Sequence, residues 1–416
     1  MKGIIGFIAA SLLLLTILAG CLYLKEERPD LYDRIFGTSQ AASEGASEAT
    51  PETDSPTGGT ASWEREPAED TEQDTEQDTQ QDIEQSTQQD IAQNTQRSAQ
   101  GLSAASGRFA DVPITESTKG EIPETELRDL QRSDLVPMEG TGQEIADGSS
   151  VSDETGPLGE EYTFSEQMYP YRAMLGEEGK KAYNQIYANA LACNRQPIAM
   201  QASLAPAEMT EVMSAVYNDH PELFWLETAY RYLYKRNQNV HSVILSYNGT
   251  ADDLAASQTT FNEAVSQVVS QAASAGNEVE KERFVHDYLI QNVTYDENVP
   301  MHQSAYSALC SGRSVCAGYS RAFQHILMQM GIPAYYCTGI ADGGPHAWNI
   351  VQLGDHYYNV DSLWDDSISE KYGINCYLYF NLPDVEFNTE HSRSGLAIKL
   401  PTCDASDMKY ETVFRS

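Results

Sequence analysis

The chain has 416 residues and a formal net charge of -36, and the imbalance is uneven: residues 40–162 hold 29 acidic against 6 basic side chains. A surplus of carboxylates repels a phosphate backbone and no basic cluster offsets it, so the composition excludes nucleic-acid binding. The length leaves room for two or three domains, but the acidic stretch confines the folded part to less than the whole.

The N-terminus reads as an export segment, domain 1–24, with Lys2 ahead of an apolar run from Ile4 through Leu18. It closes in Leu18-Ala19-Gly20-Cys21. Small residues before a cysteine resemble the lipobox of bacterial lipoproteins, in which cleavage leaves Cys21 as the lipid-bearing first residue. The other reading is an uncleaved anchor, because Leu22, Tyr23 and Leu24 extend the apolar run to roughly 20 residues, enough to span a bilayer. Both readings place the acidic remainder outside the cytoplasmic membrane, attached to it through lipid or anchor.

Residues 25–162 are expected to be a disordered tether, rich in Ser, Thr, Gln, Glu, Asp and Gly and too poor in large apolar residues to offset the entropy of ordering. A four-residue repeat, Thr71-Glu72-Gln73-Asp74 and its successors, would stack Asp74, Asp78 and Asp82 on one helix face, where like charges destabilise a helix. A flexible coil of this length reaches about 60 Å, far enough to lift a folded head away from a membrane and into a cell wall. The other use of the tract is as a glutamine-rich amine acceptor for the protein's own site.

Domain 163–277 is expected to be a helix and hairpin region. Apolar spacing predicts helices over 177–192 and 205–217, ended by His220-Pro221-Glu222, and a polar helix over 251–275. Strands are predicted over 230–234 and 240–247, joined around Asn237-Gln238-Asn239.

Domain 278–416 carries the chemistry. After a helix over 278–292, Cys316 opens another in which Ala322, Phe323, Ile326, Leu327 and Met330 recur at three- and four-residue steps until Gly331 and Pro333 end it. Cys316 therefore sits in a first turn, where unsatisfied N–H groups and the helix dipole favour negative charge. An ordinary thiol titrates near 8.5, and such a position beside an imidazolium can lower it into the thiolate range. Two strand-like runs follow, 346–353 and 356–361, joined by Gly354-Asp355. That turn pairs Leu353 with His356, Trp348 with Asp361 and His346 with Leu363. His346 and Asp361 are then diagonal neighbours about 7 Å apart on one face, and a one-residue slip would separate them. Nucleophile, base and orienting carboxylate are the three parts of a triad. His325, His356, Asp365 and Asp366 read as bystanders, the two aspartates as solvated. Trp348 and Trp364, with Tyr306 ahead of the cysteine, are candidate walls of a substrate cleft, against the alternative of core packing.

The ordered set Val315-Cys316-Ala317-Gly318-Tyr319, Gly331-Ile332-Pro333, His346-Ala347-Trp348-Asn349 and Val360-Asp361-Ser362-Leu363-Trp364-Asp365 resembles the bacterial transglutaminase-like superfamily. Tyr379-Phe380-Asn381 with His391 looks like the usual continuation. The resemblance implies an α+β, papain-like core in which a cysteine helix packs on an antiparallel sheet. It also implies a thioester intermediate formed on a carboxamide or peptide carbonyl, with protein or wall peptide as substrate. Resolution by water would make a protease or amidase and resolution by an amine a transglutaminase; a binding or scaffolding module that keeps the fold without turnover is the alternative. No cofactor or metal is expected: Cys193, Cys310, Cys316, Cys337, Cys376 and Cys403 match no zinc spacing, and no calcium motif is present. Disulfides are left open.

Overall fold

A computed structural model describes residues 109–130, 134–146, 149–236 and 239–415. The export segment with Cys21, and the tether as far as residue 108, lie outside the described residues. Among the described residues no helix is long and apolar enough to cross a membrane.

In chain order the main elements are β1 (Ala110–Ile114), α1 (Glu124–Leu130), β2 (Glu139–Glu144), α2 (Glu177–Leu191), β3 (Ile198–Ala199), α3 (Pro206–Asp219), β4 (Leu226–Tyr234) and β5 (Val240–Tyr247). Then follow α4 (Leu254–Ala272), α5 (Glu278–Asn292), α6 (Cys316–Gln329), β6 (Ala334–Ala341), β7 (Gly344–Leu353), β8 (His356–Val360), α7 (Ser362–Tyr372), β9 (Ile374–Cys376) and β10 (His391–Arg393). One four-stranded antiparallel sheet runs β8-β7-β6-β10, and a second runs β2-β4-β5-β3. The expected α+β architecture is present: α6 lies on β6 and β7.

The hairpin register is set where the turn predicts it, with His356 opposite Leu353 and Val360 opposite Asn349. It stops there. Asp361 leaves the strand to cap α7, its Oδ1 accepting the Trp364 N–H at 3.1 Å, so the predicted pairs Trp348–Asp361 and His346–Leu363 do not form. The cysteine helix ends as expected. Gly331 sits at φ 76°, and the Gly331 and Ile332 amides donate back to the Met328 and Leu327 carbonyls, both at 3.0 Å, which closes a left-handed C-terminal cap.

Part of the stretch expected to be tether is folded, among the described residues 109–130 and 134–146. They form β1, which pairs in parallel with β9, α1 against α7, and β2, which pairs in parallel with β4. Their few apolar residues could not build a core of their own. They are ordered by docking: Ile114 and Leu127 are buried and Ile122, Leu135 and Met138 pack on the existing core.

The region 163–277 shares that core with the cysteine domain and grips α6 from behind. Arg321 donates to the Tyr217 carbonyl and, at 3.0 Å, to that of His220, while Gln324 donates to the Asn218 carbonyl at 2.9 Å. These carbonyls end α3, where helix geometry leaves acceptors without partners and the dipole favours a cation. The guanidinium also lies 3.8 Å from the Tyr217 ring centroid. Replacing Arg321 by methionine keeps the bulk but strands buried acceptors, so a loss of about 3 kcal/mol is expected. Chemical denaturation measures it; a loss under about 1 kcal/mol would show that the clasp contributes little.

Candidate active site

Cys316 is the first residue of α6, with Val315 as its extended N-cap. The turn is packed tightly from outside. A Cβ on Gly318 would come within 2.9 Å of the His302 carbonyl oxygen and 2.8 Å of that of Ser304, so glycine is what allows the loop 302–304 to lie on the cysteine turn. The His302 carbonyl in turn accepts the Val315 N–H at 3.3 Å and the Ser314 hydroxyl at 2.6 Å. From the other side Asn349 of β7 donates to the Ser320 carbonyl at 2.9 Å, and the Tyr319 hydroxyl reaches Asp366 Oδ2 at 2.7 Å. Helix, loop and strand are thus fixed relative to one another around the sulfur.

His346 faces that sulfur from β7. Its Nε2 lies 2.7 Å from Asp361 Oδ2, while the other carboxylate oxygen caps α7. A carboxylate partner holds the proton on Nε2 and leaves Nδ1 for the sulfur. Nδ1 is buried without a hydrogen bond of regular geometry, and the thiol interacts with the ring as one of the causes that raise its pKa. Such contacts commonly tighten only when substrate is bound. Burial by itself would lower the His346 pKa, but the Asp361 charge and hydrogen bond and the Cys316 contact outweigh it and push it up to about 10. Burial would raise the Asp361 carboxyl; the facing His346 and the hydrogen bond from His391 overcome this and hold it well below the usual carboxylate range.

His391, noted in the sequence only as part of the family's continuation, brings a second ring to the same carboxylate oxygen, Nε2 to Oδ2 at 3.1 Å. Burial pushes its pKa down, so it donates to the carboxylate as a neutral imidazole. It is wedged between the Phe387 ring at 3.9 Å and the Trp364 ring at 4.1 Å. The sequence held a signal for it: a histidine thirty residues past the aspartate, on a short strand at the sheet edge. Among the described residues, the donor atoms of His346, Asp361 and His391, all within 4.8 Å of one another, could also hold a metal ion; here their hydrogen bonds join them directly.

Trp348 and Trp364 wall the imidazole. Their rings lie 6.2 and 5.3 Å from that of His346, and both are buried, so they line the base from within the core. Tyr306 is not brought to the triad; it packs on Phe224 at 5.0 Å and Phe261 at 6.3 Å. Asp365 and Asp366, expected in solvent, are fully buried. Asp365 accepts from His286 at 3.0 Å, from the Cys376 thiol at 3.1 Å and from the Tyr379 amide at 3.1 Å. Burial would lower the His286 pKa, but Asp287 and Asp365 push it up to about 9. This pair anchors α7 to α5 behind the Asp361 cap. None of the six described cysteines is in a disulfide.

A model of the transglutaminase-like superfamily core matches residues 264–362, a span that holds Cys316, His346 and Asp361. The chain is similar to two solved structures at 15% identity. One is a TGase, with a TM-score of 0.23, over 40% of this chain and 50% of that one. The other, from Cytophaga hutchinsonii and provisionally named a cysteine protease, has a TM-score of 0.25 over 37% of this chain and 45% of that one. The chain thus spans about half the length of each. Among curated proteins there is no significant match. The cysteine helix on its antiparallel sheet, together with the matched span, identifies the chain as carrying a domain of the transglutaminase-like superfamily over residues 264–362.

Proposed function

We propose that the protein is a thiol-dependent enzyme acting on amide bonds of proteins or peptides through a thioester. The observation that carries this reading is the 2.7 Å contact of His346 with Asp361 on a ring that also meets the thiol of Cys316. In the first step His346 Nδ1 takes the thiol proton and the sulfur attacks the carbonyl carbon. The oxyanion forms beside the backbone N–H of Cys316, where first-turn amides favour negative charge. As the tetrahedral adduct collapses, the imidazolium returns its proton to the leaving nitrogen and the C–N bond breaks, leaving an acyl group on sulfur. Water, deprotonated by the same ring, releases the acid; a primary amine in its place gives transfer.

Hydrolysis is the favoured outcome, on protein or wall peptide outside the cytoplasmic membrane, to which the N-terminal segment attaches the chain. The test is incubation of the full chain, native and with Leu135→Asp, with a glutamine-containing protein and a labelled primary amine. New chain termini or released ammonia that vanish in Cys316→Ala support hydrolysis. Label incorporated in a Cys316-dependent manner replaces hydrolysis with transfer, and the absence of both products from both chains overturns the enzyme reading.

A further inference from the structure

The segment 134–138 crosses between the two halves of the catalytic site. Leu135 donates its N–H to the carbonyl of Pro345, the residue before His346, at 3.4 Å. On the cysteine side, Gln303 donates from Nε2 to the Asp134 carbonyl at 2.9 Å and accepts from the Val136 N–H on Oε1 at 3.1 Å. Gln303 belongs to the loop that Gly318 admits onto the cysteine turn, and its own carbonyl is held by the Tyr217 hydroxyl at 3.2 Å. One carboxamide bonded to the C=O of one residue and the N–H two residues on reads an extended main chain without regard to side chains. The Leu135 side chain is half-buried against the core, whereas Val136 is 46% exposed.

Both ends of the segment are tied down. Before it, Glu126 of α1 accepts from the Tyr372 hydroxyl at 2.5 Å and pairs with Lys371 at 3.2 Å; after it, β2 runs along β4. One residue on from Pro345, His346 is 0% exposed, as is Cys316, although a nucleophile must reach an external carbonyl.

We infer that Gln303 and the Pro345 carbonyl form a subsite for an extended peptide main chain, and that residues 134–136 occupy it from within, blocking the enzyme until they are displaced. This rests on the proposed peptide chemistry and names its substrate as an unfolded or extended chain segment. It also assigns a purpose to the docking of 109–146: the two anchors hold the blocking segment at high effective concentration.

The test reads thiol access and needs no turnover. Native full-length chain, Leu135→Asp and Gln303→Ala are each treated with iodoacetamide, and modification at each cysteine is followed by mass spectrometry. Both substitutions are expected to speed Cys316 labelling at least tenfold while the half-buried Cys193 and Cys310 keep their rates. A synthetic peptide of residues 134–144 is expected to restore protection to Leu135→Asp, and an oligosaccharide of wall type is not. Unchanged Cys316 labelling in both folded variants, uniform acceleration of all thiols, or a peptide without effect would overturn the inference. A chain whose freed Cys316 labels quickly but turns over no amide would keep the blocking segment and sink the proposed function instead.

Discussion

Cys316→Ala is expected to lower amide turnover on the order of 10^4-fold or more, because a nucleophile that acts as one unit with its base cannot be partly replaced. The fold should survive, since the change removes one buried sulfur from a turn held by Asn349, Tyr319 and the 302–304 loop. The matching control is Cys337→Ala. Cys337 is equally buried on the adjoining strand β6, opposite Trp348, and burial pushes its thiol up. Burial likewise raises Cys376 and Cys403, and pushes Cys310 up to about 12. Steady-state rates of the two variants, measured with the blocking segment released by Leu135→Asp, compare them directly. Comparable losses in both would mean that the sulfur of Cys316 has no special part.

The second large effect is expected from Asp361→Asn, about 10^4-fold at neutral pH by the precedent of orienting carboxylates in triads. Its pH signature separates it from a loss of folding. In the native chain the imidazolium that returns its proton to the leaving nitrogen is held until a pKa of about 10, so the alkaline limb of kcat lies near that value. Asparagine removes the charge that opposes burial, and the limb moves down to or below the ordinary histidine value of about 6.5. Stability follows the same linkage. A histidine whose folded pKa is raised contributes fully below about pH 6.5 and loses that contribution as pH rises through about 10. Asp361, whose folded pKa is depressed, contributes above its ordinary carboxylate value and loses it as pH falls through the folded one. The pair therefore stabilises most between those limits, and the stability difference between native chain and Asp361→Asn should be largest there. A variant with an unmoved alkaline limb would contradict the assignment of Asp361 as the partner of the base.

Much of this site was legible before coordinates because its parts are local. The apolar steps of α6, its Gly331 stop and the Gly354-Asp355 turn each act within a few residues, and the turn alone set the strand register through Val360. What the period of a strand could not show is that Asp361 leaves the sheet. Its side chain instead caps α7 with one oxygen and meets His346 with the other. The burial of Asp365 and Asp366 was illegible for a different reason: their partners His286 and Tyr319 lie 79 and 47 residues away. The order in 109–146 is of the same kind. Its composition forbids an independent core, but docking on a finished domain needs only Ile114, Leu127, Leu135 and a free strand edge. The region 163–277 yielded its helices and hairpin to periodicity, yet its grip on Arg321 and Gln324 depends on carbonyls whose direction only the fold decides.

The central claim, that sulfur, imidazole and carboxylate act together on an acyl group, is tested most directly by trapping the thioester. Leu135→Asp chain is mixed with a glutamine-containing peptide, quenched in acid within the first turnover and examined by peptide mass spectrometry. The account predicts an acyl adduct on Cys316 that hydroxylamine removes and that His346→Ala fails to form. An adduct on Cys193 or Cys310 instead, or none on a chain whose Cys316 is freely alkylated, would contradict it.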